Sequence, residues 1–259
     1  LASISKILTG DALAERMRMP LTCEEIMGIM ESKRSQANVE GMARFGIRSE
    51  KVLGLRMPDL TAIAKRVGKD HIIAQELWAT GIYDARILAA LVDEPGKVTR
   101  PQMEKWALDF DNWGVCDCAC LHLFDKTPHA WEVVPDWCER EEEFVRRAGF
   151  AMIASLSSHD RTAADDRFNG LLPLIREASV DERPMVRKAI NWALRQIGKR
   201  NIALNRAAII EARTIKGLPS KTAMWIASDA LRELEGEKVQ TRLKERAENG
   251  KLLPVRPKR

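Results

Sequence analysis

Met185-Val-Arg-Lys-Ala-Ile-Asn-Trp-Ala-Leu194 reads as one turn-rich amphipathic helix, and it aligns with two earlier stretches, Tyr83-Asp-Ala-Arg-Ile-Leu-Ala-Ala-Leu91 and Phe144-Val-Arg-Arg-Ala-Gly-Phe-Ala-Met152. Adding a helix that runs through Asp117 brings Arg86, Asp117, Arg147 and Lys188 to equivalent positions, at intervals of 31, 30 and 41 residues. Periods of this size mark helical solenoids, in which a hairpin that cannot bury its own apolar face does so against its neighbours. Three of the four equivalent positions are basic and the fourth is a lone carboxylate. A row of cations with one acid among them suggests polyanion binding plus one chemical group.

The rest of the chain is punctuated for helices and nearly lacks strand patterns. Apolar spacing near 3.6 predicts helices over 11–19 and 22–37. Residues 39–55, with Gly41, Gly46 and Gly54, are the least regular part of the body. Pro58 opens a helix that Gly68 closes. Short helices follow over 71–78 and 83–92, and Thr99-Arg-Pro-Gln102 carries capping chemistry for the next. Beyond the Asp117 helix, starts are predicted at Thr127-Pro128, then over 136–142, 144–156, 167–178, 184–198, 202–215 and 219–234. The breaks are short, as in antiparallel helix hairpins.

The central stretch is Asp109-Phe-Asp-Asn-Trp-Gly-Val-Cys-Asp-Cys-Ala-Cys-Leu-His-Leu-Phe124. Asp111-Asn112 supplies turn and N-cap chemistry. Trp113 and Asp117, four apart, share one helical face, while Val115, Cys116, Ala119, Cys120 and Leu123 make the apolar stripe. An Asp in the first turns of a helix is most often a solvated residue that favours the positive end of the helix dipole, and a Trp there is most often packing. Only the surrounding pattern makes the pair chemical. Trp78, Trp106, Trp131, Trp137 and Trp225 are expected to pack.

Composition narrows the class. The 259 residues are 45% hydrophobic and 31% charged, as in globular proteins, and no apolar run approaches membrane-spanning length. Five cysteines, an odd number without an export signal, argue for reduced thiols and a cytoplasmic setting. Cys116-x-Cys118-x-Cys120 does not converge on one ion in a helix, so no metal is expected. The net charge of +5 equals the excess in residues 237–259, which hold eight Lys/Arg and three Glu. From Met185 to Lys221 nine basic residues face one acid, Glu211, which is the footprint of a polyanion partner or of a solvated basic face.

Trp113-Gly-Val-Cys-Asp117, Val145-Arg-Arg147-Ala and Lys188-Ala-Ile-Asn-Trp192-Ala-Leu-Arg195, in this order and spacing, resemble the AlkD-like DNA alkylation repair family, alkylpurine DNA glycosylases built from HEAT-like repeats. The resemblance is strongest over 40–235. Asn112 and Gly114 depart from it, standing where an aromatic residue and an acid occur. It implies an all-α fold, an α-solenoid of HEAT-like antiparallel helix hairpins with a concave basic face. Residues 1–235 would form a single repeat domain and 236–259 a basic, disordered tail. It implies Asp117 as the catalytic carboxylate, Trp113 and Trp192 as aromatic walls of a substrate cleft, and Arg147 on the substrate's backbone. Arg86, Lys188, Arg195 and Lys199 are the further candidates for DNA phosphates.

The activity implied is hydrolysis of the N-glycosidic bond of N3- or N7-alkylated purines in double-stranded DNA, by a monomer and without cofactor. The alternatives are a HEAT-like protein that binds damaged or branched DNA without cutting it, and a protein-interaction scaffold.

Overall fold

A computed structural model describes residues 21–47 and 51–249, and among them the regular secondary structure is helical throughout. The helix expected over 11–19 lies outside the described residues. The first helices are α1 (Cys23–Glu31), α2 (Gln36–Arg44), α3 (Met57–Val67), α4 (His71–Ala79) and α5 (Tyr83–Val92). The middle of the chain forms α6 (Arg100–Leu108), α7 (Trp113–His122), α8 (Val133–Cys138) and α9 (Glu143–His159). The remainder is α10 (Asp165–Asn169), α11 (Leu172–Ala178), α12 (Pro184–Gly198), α13 (Ile202–Lys216), α14 (Lys221–Leu234) and α15 (Glu237–Glu248).

Local chemistry sets most boundaries. Thr22, Ser35, Asp70, Thr99, Asn112, Asn201 and Ser220 each accept a hydrogen bond from the backbone N–H three residues on, satisfying a donor that the first helical turn leaves unpaired. Gly68 follows α3 with φ of 81°, a conformation that costs a glycine little.

Where helices differ from the pattern, a specific group is responsible. Residues 22–37 split into α1 and α2, because the Ser35 N–H bonds to the Leu53 carbonyl at 2.9 Å while its hydroxyl caps Asn38. The 167–178 helix is two short ones, α10 and α11, since Pro173 has no N–H to continue the ladder from Asn169. At Thr127 the chain turns instead of starting a helix, the hydroxyl donating back to the Phe124 carbonyl at 2.8 Å. Part of the stretch expected as a disordered tail is α15, which buries Val239 and Leu243; residues 250–259 lie outside the described residues.

The helices form HEAT-like hairpins. Helices α5, α7, α9, α12 and α14 lie side by side in one row, α9 against α12 being the most extensive contact, with α4, α8 and α13 packed behind members of that row. The core runs through all of them without interruption. At its centre Trp78 stacks on Trp106 with centroids 3.8 Å apart, and Phe110, Phe124 and Trp137 extend the aromatic cluster. Helix α7 is enclosed on two sides: the Cys116 and Cys120 thiols point to the Phe144 and Ala148 carbonyls of α9, and Cys118 to the Ile87 carbonyl of α5. Cys118 is therefore buried too, beyond the single apolar stripe expected.

Candidate active site on the helix row

Asn112 caps α7 through its side-chain oxygen, 3.0 Å from the Val115 nitrogen, and so fixes where the helix begins. From that start Trp113 and Asp117 fall on the same face, four residues apart, and both line a cleft of about 380 Å³. The other lining residues are Phe45, Arg147, Met185, Lys188 and Trp192. Four of the lining residues are those that the resemblance implies, Asp117 as the catalytic carboxylate, Trp113 and Trp192 as cleft aromatics and Arg147 as a backbone contact.

Asp117 is largely withdrawn from solvent. Its side chain is 17% exposed, and Arg147, 7% exposed, grips it with two parallel hydrogen bonds, Nε to Oδ1 at 2.8 Å and Nη2 to Oδ2 at 2.7 Å. The remaining arm of the guanidinium donates to the Met185 carbonyl at 2.5 Å, so neighbouring helices α7, α9 and α12 meet through one side chain. Burial pushes the Asp117 carboxyl above its ordinary value, while the charge and hydrogen bonds of Arg147 oppose the rise. Arg147 is in turn held charged by Asp117 against the effect of its own burial.

Gly114 owes its place to a neighbour. A Cβ there would lie 2.5 Å from the Tyr83 hydroxyl and 3.2 Å from the ring, so the acid of the related pattern does not fit against Tyr83.

Phe45 is the wall that sequence reasoning missed. It follows α2 and is 74% exposed, and its carbonyl accepts the Trp113 indole N–H at 2.9 Å. The contact is held by a buried carboxylate: Asp84 accepts from the Leu53, Gly54 and Leu55 nitrogens and pins the segment that backs α2. The only local signal was Phe45-Gly46 in a glycine-bearing stretch, with Gly46 at φ of 85° ending the helix.

The other basic candidates divide. Lys188 is exposed, lines the cleft and has no ion pair among the described residues. Arg86 lies outside the lining, over the Trp78 ring at 5.2 Å and donating to the Asp109 carbonyl at 2.9 Å. Arg195 and Lys199 both bind Glu233 of α14, Lys199 at 2.7 Å, and tie α12 to that helix.

The model of the DNA alkylation repair enzyme family matches residues 26–234, which includes every residue of the cleft. The chain belongs to that family. Among relatives, an uncharacterised protein of Listeria innocua is 26% identical over 165 residues, covering 62% of this chain and 71% of its own length. An uncharacterised protein of Listeria monocytogenes is 27% identical over 100 residues, covering 38% of this chain and 45% of its own. A solved structure with a TM-score of 0.70 and 16% identity spans 90% of this chain and 96% of its own; it represents a family described as related to the HEAT-like repeat DNA glycosylases, with affinity for branched DNA structures. This likeness establishes the HEAT-like fold of the DNA alkylation repair chain. Among the described residues no helix is long and apolar enough to cross a membrane.

Proposed function

We propose that the chain is a DNA glycosylase that hydrolyses the N-glycosidic bond of cationic N3- or N7-alkylated purines in duplex DNA. One observation carries this reading: a half-buried carboxylate, Asp117, shares a cleft with two indoles, a phenyl ring and a lysine that has no ion pair among the described residues.

The chemistry asks for little more. Alkylation already makes the purine a good leaving group, and indole faces are the best aromatic partners for a cation. As the bond between C1′ and the purine nitrogen breaks, its electron pair neutralises the base and positive charge develops on the sugar. Asp117 stabilises that charge and orients water, whose oxygen bonds to C1′ and whose proton passes to solvent. Each carboxylate oxygen accepts one bond from Arg147 and keeps acceptor capacity for this task. In this reading Arg147 sets the angle of the carboxylate, and Lys188 neutralises a phosphate at the cleft edge. Arg86, Arg195 and Lys199 reach phosphates only by giving up the partners described above.

A second reading has an observation of its own. Arg147 offsets the charge of Asp117, and the structural neighbour is described by its affinity for branched DNA, so a binder that leaves the bond intact suits the same cleft. Release of 7-methylguanine and 3-methyladenine from methylated duplex DNA separates the two. Release by the native chain that disappears in Asp117→Asn, with DNA affinity kept, supports the glycosylase. Salt-sensitive binding without release moves the function to the binder, and no affinity for DNA leaves a protein scaffold.

A further inference from the structure

Trp225 does not pack as a core tryptophan. It is 42% exposed on α14, beside Met224 at 53%. The Arg187 guanidinium lies over its ring, 5.3 Å from the centroid, and among the described residues the Arg187 side chain makes no hydrogen bond or ion pair, its Nε being buried without a partner. The cause is the register of two neighbouring helices. On α12, residues 187, 191 and 195 form the stripe that meets α14, where Asn191 donates to the Ile226 carbonyl at 3.0 Å and Arg195 binds Glu233. Residues 185, 188 and 192 form the adjacent stripe, which lines the cleft. The Trp225–Arg187 pair thus stands one helix along the row from the cleft, next in sequence to Lys188.

We propose that this pair is a stacking platform for an unpaired nucleobase beside the duplex that occupies the cleft; the inference rests on the reading of the cleft as a DNA site. Its chemistry selects the occupant. The indole carries a cation over its ring and leaves 42% of the residue exposed, an arrangement that favours a flat, electron-rich ring on the accessible part. Base faces inside a duplex are already stacked on one another, so only an unpaired or terminal base offers one. The guanidinium, without a carboxylate partner among the described residues, is placed to meet the phosphate attached to that base. Lys188 continues the positive edge towards the Asp117 cleft.

Fluorescence anisotropy of the full chain tests this with three labelled probes: a blunt duplex, the same duplex with a short single-stranded thymidine extension, and that duplex with an abasic extension of equal length. The native chain is expected to bind the thymidine extension about tenfold more tightly than the blunt duplex, the size of one base–aromatic stack. The preference should vanish in Trp225→Ala, survive largely in Trp225→Phe, and be absent on the abasic extension with the native chain. Equal affinity of the native chain for all probes, or a preference that persists on the abasic extension or in Trp225→Ala, overturns the platform while leaving the cleft reading intact. Failure of the native chain to bind the blunt duplex in a salt-sensitive way overturns both.

Discussion

Arg147 holds Asp117 in a fork of two hydrogen bonds, 2.8 and 2.7 Å long, although thirty residues separate them in the chain. A planar guanidinium sets both the distance and the plane of a carboxylate, which an ammonium cannot do. Removing it leaves a half-buried charge without its counterion. Arg147→Ala is therefore expected to lower unfolding stability by about 3 kcal/mol, and Arg147→Lys to recover only part of that. Urea titrations of the three proteins give the comparison; a loss below about 0.5 kcal/mol in Arg147→Ala would mean that the pair is not a joint between helices.

The same pair sets a pH dependence. Burial raises the carboxyl of Asp117, and in the glycosylase reading the ionised form does the work. Base release should then fall as pH drops, with an acid limb above the ordinary aspartate value of about 3.9. Arg147→Gln removes the opposing charge, so its limb should move to still higher pH. Single-turnover release of 7-methylguanine against pH is the measurement, and a limb that stays put in the variant assigns the titration to another group.

Lys188 and Arg195 make opposite predictions despite their shared helix. Lys188 at the cleft edge has no ion pair among the described residues, whereas Arg195 is neutralised by Glu233. In a plot of log affinity against log salt, Lys188→Ala should flatten the slope by about one unit, since one phosphate contact is lost. Arg195→Ala should leave the slope unchanged and instead lower the melting temperature. A slope change in Arg195→Ala equal to that in Lys188→Ala would show that Arg195 exchanges Glu233 for a phosphate on binding.

Gly149 offers a test of the packing behind the site. It lies on α9 two residues after Arg147, and a Cβ there would sit 2.6 Å from the Cys138 nitrogen and 2.9 Å from the Trp137 carbonyl carbon. Backbone cannot rotate away, so Gly149→Ala should cost about 3 kcal/mol, the upper end for overpacking. Thermal melting would show it, and an unchanged melt would mean that α8 stands further from α9.

Much of the architecture was legible because it is local. Helix ends follow from caps and Gly68, and α5 and α12 begin and end where the apolar period and Pro184 place them. Trp113 and Asp117 are four residues apart, so helical geometry alone puts them on one face. The repeat spacing of Arg86, Asp117, Arg147 and Lys188 likewise pointed to hairpins stacked in a row.

What each of those side chains touches was decided by tertiary structure. Periodicity says which face a residue occupies, but its partner depends on the register of a helix tens of residues away. That register turned Arg147 inward onto Asp117, gave Arg195 and Lys199 to Glu233, and left Lys188 without an ion pair among the described residues. It brought Phe45 to Trp113 across 68 residues through an otherwise irregular segment pinned by Asp84. It also left Trp225 at the surface under Arg187, where composition and spacing alone marked it for the core.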